Sequence, residues 1–132
     1  MAKFSDLVGR TLIAVAGMEK GSDRIVFHCE GGEEFTMQHF QDCCERVEVE
    51  DVVGDVADLI GSPILVAEES TNSSEDPPGY KPEYAYRESF TWTFYKLATR
   101  KGYVDLRWLG ESNGYYSEEV SLTGPGEDRW GY

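Results

Sequence analysis

The chain has 132 residues, is 40% hydrophobic and 13% aromatic, and carries 12 basic against 25 acidic side chains, a net charge of −13. That is enough apolar material for one domain with a core, which excludes wholesale disorder and leaves little room for a second domain. No apolar run approaches the ~18 residues of a membrane helix, and the acid excess argues against non-specific phosphate binding over the whole surface.

The start, MAKFSDLVGR, lacks the basic-then-apolar pattern of a secretion signal, so a cytoplasmic setting is expected. Thr11–Ala16 is short, apolar and β-branched and reads as a buried strand. Glu19–Ser22 reads as a turn. In Arg24–Glu30, Ile25, Phe27 and Cys29 share one face, and Gly31-Gly32 is a hairpin signal. Phe35, Met37 and His39 continue the inward face of the return strand. Gln41–Glu45 breaks the alternation, as a tight turn or one helical turn. Val47–Glu50 alternates again, with Glu48 and Glu50 outward. Asp55–Ile60 is the one helical stretch. Asp51 or Gly54-Asp55 caps its start, and Gly61 with Pro63 ends it. Ile64–Ala67 is another buried strand.

Ser70–Pro82 is rich in Ser, Pro and acidic residues and reads as a mobile loop. The last third reads as a three-stranded meander. Phe90, Trp92 and Phe94 share one strand face, taken as the core face, and Thr91, Thr93 and Tyr95 share the other. After a turn at Arg100–Gly102, Val104, Leu106 and Trp108 alternate with Tyr103, Asp105 and Arg107. Ser112-Asn113-Gly114 is a second hairpin turn, with Tyr116, Val120 and Leu122 in the final strand. The expectation is a single α+β, mostly antiparallel β domain over residues 1–123, with about eight strands and one short helix, and an irregular tail at 124–132.

Charge is segregated along the chain. Glu30 to Asp76 holds 14 acidic residues against Arg46 alone, whereas Lys81 to Arg107 holds six basic residues against three acidic. The plain reading is a solvated acidic face; the sharper one is a polar molecule with one face that mimics nucleic acid and another that holds an anion. Three cysteines, Cys29, Cys43 and Cys44, make a poor disulfide framework, so reduced thiols are expected.

Three blocks carry a resemblance. They are His39–Glu45 (HFQDCCE), Glu50–Asp55 (EDVVGD) running on to Leu59–Ile64 and Ala67–Glu69, and Thr91–Thr99 (TWTFYKLAT) with Gly102–Val104, Arg107-Trp108 and Ser112–Ser117. Together they resemble a family of small uncharacterised phage and prophage proteins. The resemblance implies an accessory role in the host cytoplasm, with antagonism of host immunity as an analogy from genomic company.

Four constellations bear on chemistry. His39 and Cys43, four apart, are the nearest approach to a zinc site, but a structural zinc wants two such pairs, and no metal or other cofactor is expected. Cys43 or Cys44 with His39 as base has the elements of nucleophilic catalysis, yet surrounding acidic charge raises a thiol pKa, the unreactive direction. Glu48, Glu50, Asp51 and Asp55 form a candidate inhibitory acidic face, and no calcium-loop spacing is present. Arg107, Lys96, Arg100, Tyr103, Tyr115 and Asn113 combine cations, rings and amides in the manner of a nucleotide-type pocket. The expected function is therefore a non-enzymatic binding protein that sequesters a small anionic host signal. The alternatives are an acidic mimic of nucleic acid that blocks a basic host protein, and a structural, virion-associated oligomer. Neither membrane contact nor direct nucleic-acid binding is expected, and a homo-oligomer is allowed.

Overall fold

The computed structural model describes residues 2–41, 44–73, 75–81, 88–114 and 117–125. Within them the chain forms eight antiparallel strands and two single 3₁₀ turns. Strands β1 (Leu12–Ala16), β2 (Arg24–Cys29), β3 (Glu34–Gln38) and β8 (Ser121–Thr123) make one sheet, ordered β1-β2-β3-β8. Strands β4 (Arg46–Val53), β5 (Val66–Asn72), β6 (Ser89–Thr99) and β7 (Gly102–Ser112) make the second, ordered β4-β7-β6-β5. The β-rich antiparallel fold with eight strands is thus the one expected.

Period-2 patterning builds the core. Ile25, Phe27 and Cys29 of β2 and Phe35 and Met37 of β3 are buried, as alternation requires. They meet Val47, Val49, Leu97, Val104, Leu106 and Trp108 of the second sheet in one cluster. Each fully buried large side chain contributes about 1.5–3 kcal/mol. Between β2 and β3, Gly31 and Gly32 both take φ of 89°, a conformation open to glycine at little steric cost. Phe4 and Leu7, in the first 3₁₀ turn (Phe4–Leu7), add a buried anchor that the sequence reading did not assign.

β1 is an edge strand with only Leu12 buried and Ile13 exposed, not the buried strand expected, and four further expectations need correction. The helix at Asp55–Ile60 is a single 3₁₀ turn, Val56–Leu59. The Asp55 side chain caps it by accepting from the Ala57 N–H at 2.9 Å. Gly61 follows at φ 84°, which stops propagation after one turn. The strand expected at Ile64–Ala67 runs instead from Val66 to Asn72, so Ser70–Asn72 belong to β5 and not to a loop. The three-stranded meander is β5-β6-β7, and the last strand does not return beside β7. It crosses to the other sheet and pairs with β3 through Met37 and Leu122.

The fourth correction concerns β6. Thr91, Thr93, Tyr95 and Leu97 point inward, whereas Phe90, Trp92, Phe94 and Lys96 point outward. Trp92 is nevertheless fully buried. Its cover is the segment after β5: Tyr80 meets its ring edge-on at 4.8 Å, and its indole N–H donates to Asp76 Oδ1 at 3.0 Å. Trp92 and Trp108 therefore lie on opposite faces of one sheet. Among the described residues no helix is long and apolar enough to cross a membrane.

Candidate functional site

The outer face of the β4-β7-β6-β5 sheet carries the residues of most chemical interest. Strand register aligns Val53, Asp105, Lys96 and Glu68 in one row across all four strands. The next row is Asp51, Arg107, Phe94 and Ser70. A groove of about 500 Å³ opens over these two rows.

A β-bulge between Val49 and Asp51 shapes this face. The extra residue lets Glu50 and Asp51 both serve the outer side, while Val52 packs toward the core. Glu50 Oε1 accepts from Arg107 Nε at 2.5 Å, with the two side chains 17% and 28% exposed. The same guanidinium lies over the Trp92 ring at 5.4 Å. Lys96 Nζ sits 5.2 Å from the centre of the exposed Tyr103 ring. Lys96 and Tyr103 are thus in contact, and Lys96 and Arg107 line the same groove.

The other residues of that set are elsewhere. Arg100 is at the β6–β7 turn, where Nε reaches Ser62 Oγ at 3.4 Å. Asn113 follows the opposite end of β7, roughly 35 Å of strand away. Tyr115 lies outside the described residues. The six residues therefore do not form one pocket, because β7 is a long, straight ruler between the two turns.

The acidic set is also divided. Glu48 is engaged by Arg46, Nη2 to Oε1 at 2.6 Å. Glu50 is engaged by Arg107, and Asp55 is spent on its cap. Asp51 lines the groove, where the reading had not placed Glu68, Glu69 and Asp105, which line it too. Their signal was available in the alternation of β5 and β7, but only pairing brings the strands together. Four carboxylates thus face two cations, one of which is already paired.

His39, the weak metal candidate, is buried and committed to the protein. One ring nitrogen, Nδ1, lies 2.6 Å from the Glu119 carbonyl. The other, Nε2, lies 2.7 Å from Glu45 Oε2. Cys43, its suggested partner, lies outside the described residues, and among those described no cluster of three metal-ligating side chains occurs. Cys29 is a free, buried thiol; burial, with Glu33 nearby, pushes its pKa up despite the opposing Arg10. Cys44 is disulfide-bonded, so the reduced state expected of the thiols is met at Cys29 and not at Cys44. Cysteine count and compartment alone do not fix a thiol's redox state.

A family model described as a domain of unknown function (DUF7448) matches residues 5–122. The chain belongs to that family. No curated protein and no solved structure matches it. The match spans both sheets and the groove, so the site lies within the family's domain.

Proposed function

We propose that this family member is a non-enzymatic binding protein whose outer-face groove engages a basic segment of a partner protein. The observation that carries the reading is the charge balance of the groove. Asp51, Glu68, Glu69 and Asp105 outnumber Lys96 and Arg107, and Glu50 already neutralises Arg107. Phe94 and Val53 supply apolar surface for the stem of an inserted Lys or Arg side chain. The net charge of −13 adds long-range attraction for such a partner. The phage-type sequence blocks support a host protein as that partner and counter-defence in the host cytoplasm as the setting.

Sequestration of a small anion is the second reading. It is favoured by the juxtaposition of Arg107 with Trp92 and of Lys96 with Tyr103. It requires Arg107 to exchange Glu50 for the ligand.

One experiment separates them. A fluorescent arginine-rich peptide is titrated at low and high salt, and ATP is titrated as the anionic probe. The first reading expects saturable peptide binding that weakens with salt and with Glu68→Gln plus Asp105→Asn. ATP binding that is lost in Arg107→Ala, with no peptide binding, would instead establish sequestration.

A further inference from the structure

A second opening lies between the two sheets, at the end where β8 joins β3. It is a cleft of about 360 Å³, within the roughly 300–1,000 Å³ usual for small-molecule sites. It opens on the inward face of β6, where Thr91 and Thr93 line it, and shares Tyr95 with the outer groove. Glu69, on the edge strand β5, borders both openings.

The inner face of a two-sheet domain is ordinarily apolar, and here it is so at one end only. Around Leu97, Val104 and Leu106 the face is hydrocarbon. Toward the cleft it turns to hydroxyl groups: Tyr95, Thr93, Thr91 and, across the strand pair, Thr71. Two of these hydroxyls are accounted for. Thr91 Oγ1 donates to Glu118 Oε1 at 2.6 Å, and the Tyr95 hydroxyl is hydrogen-bonded to Glu69.

Thr93 is different. The residue is 4% exposed and lines the cleft. Among the described residues no hydrogen bond to its hydroxyl occurs. Valine has nearly the same shape and would fill the position with no polar atom to satisfy. The Thr93 hydroxyl oxygen is not among the buried polar atoms without a partner, so in an otherwise buried residue it is the atom left accessible, and it is a contact offered to whatever occupies the cleft.

The remaining lining narrows the occupant. Phe4, Met37 and Leu122 form an apolar wall opposite the threonines. Glu69 and Glu119 accept hydrogen bonds and disfavour an anion, whereas Lys3 is the single basic residue. A molecule that suits one hydrocarbon wall and one hydroxyl wall has an apolar face and a rim of hydroxyl groups.

We propose that the inter-sheet cleft is a binding site for a small neutral polyhydroxylated molecule of pyranose type, held by Thr93 and Thr71 against the Phe4–Met37 wall. The proposal does not depend on the outer-groove reading. The test is an amide NMR titration of the full chain with methyl glucoside, methyl galactoside and methyl mannoside. The expected result is saturable shifts at Thr71, Thr93 and Tyr95 with at least one probe. Thr93→Val is expected to keep or raise the melting temperature while weakening binding about tenfold or more, the scale of one lost hydrogen bond left unreplaced. Thr93→Ser keeps the binding, and Thr71→Val serves as the second deletion if Thr93→Val does not fold. Absence of saturable shifts with all three probes, meaning a cleft filled by water only, overturns the proposal. So do shifts that survive both valine variants.

Discussion

His39 Nε2 lies 2.7 Å from Glu45 Oε2, with the two side chains 4% and 0% exposed. Nδ1 of the same ring faces the Glu119 carbonyl at 2.6 Å. Both ring nitrogens lie within hydrogen-bond distance of an oxygen, so the ring is held at both ends. One side chain thereby ties the β3–β4 connection to the segment entering β8. His39→Ala removes this neighbour from a buried carboxylate and should destabilise the fold by roughly 3–5 kcal/mol. Urea denaturation measures it, and a loss well below 1 kcal/mol would mean the pair is not a structural tie.

Tyr95 gives a pH dependence with a definite sign. Burial, reinforced by the charge of Glu69 and the hydrogen bond to it, raises its pKa above the ordinary 10.0. The unfolded chain then releases the phenol proton at a lower pH than the folded one. Stability from this group is fully present below pH 10 and falls as pH rises above it, by up to about 1.4 kcal/mol per unit. In a melting series from pH 8 to 11, Tyr95→Phe should flatten the alkaline decline. An unchanged slope would place the alkaline loss elsewhere.

Gly110 faces the crossover that carries the chain from β7 to β8. A Cβ there would sit 2.8 Å from both the Cβ and the carbonyl oxygen of Glu118. Glu118 is held in place by Thr91 at 2.6 Å and by Ser112 at 2.5 Å, so it has little freedom to yield. Gly110→Ala should cost about 1–3 kcal/mol by overpacking alone. Pairing it with Glu118→Ala should recover part of that loss, and additive losses would show the two sites are not in contact.

Trp92 and Trp108 should respond differently to replacement by Phe. The Trp92 N–H donates to Asp76, whereas the Trp108 N–H is buried without an acceptor among the described residues. Trp92→Phe therefore loses about 1 kcal/mol of hydrogen bonding beyond its packing loss, and Trp108→Phe loses packing only. Asp76→Asn on each background separates the two. Coupling of Asp76 with Trp108 in place of Trp92 would contradict the assignment of faces.

Much of the fold was legible from alternation. Ile25, Phe27, Phe35 and Met37 lie inward as read, and so do Val104, Leu106 and Trp108, because a strand with one wet face admits a single register. The error at β6 was also legible: the run Phe90, Trp92, Phe94 continues to Lys96, and Tyr95 continues to Leu97. The full run assigns the threonine face inward. Three aromatic rings outweighed that longer pattern, because the segment that precedes β6, through Asp76 and Tyr80, buries Trp92 from outside. The bulge left a trace too, in Val47 and Val49 followed by Val52 in place of a third odd position.

The amino-acid pattern by itself determined the antiparallel β class, the inward face of most strands, and the concentration of acid in the first half of the domain. These follow from nearest-neighbour chemistry along the chain. Tertiary structure alone decided that β8 leaves the meander for β3, that Arg107 meets Glu50, and that Arg100 and Asn113 stand at opposite ends of β7. The charge of the outer groove and the hydroxyl lining of the inter-sheet cleft are products of strand pairing. That pairing brings together residues tens of positions apart, and no local periodicity encodes which strand edges will meet.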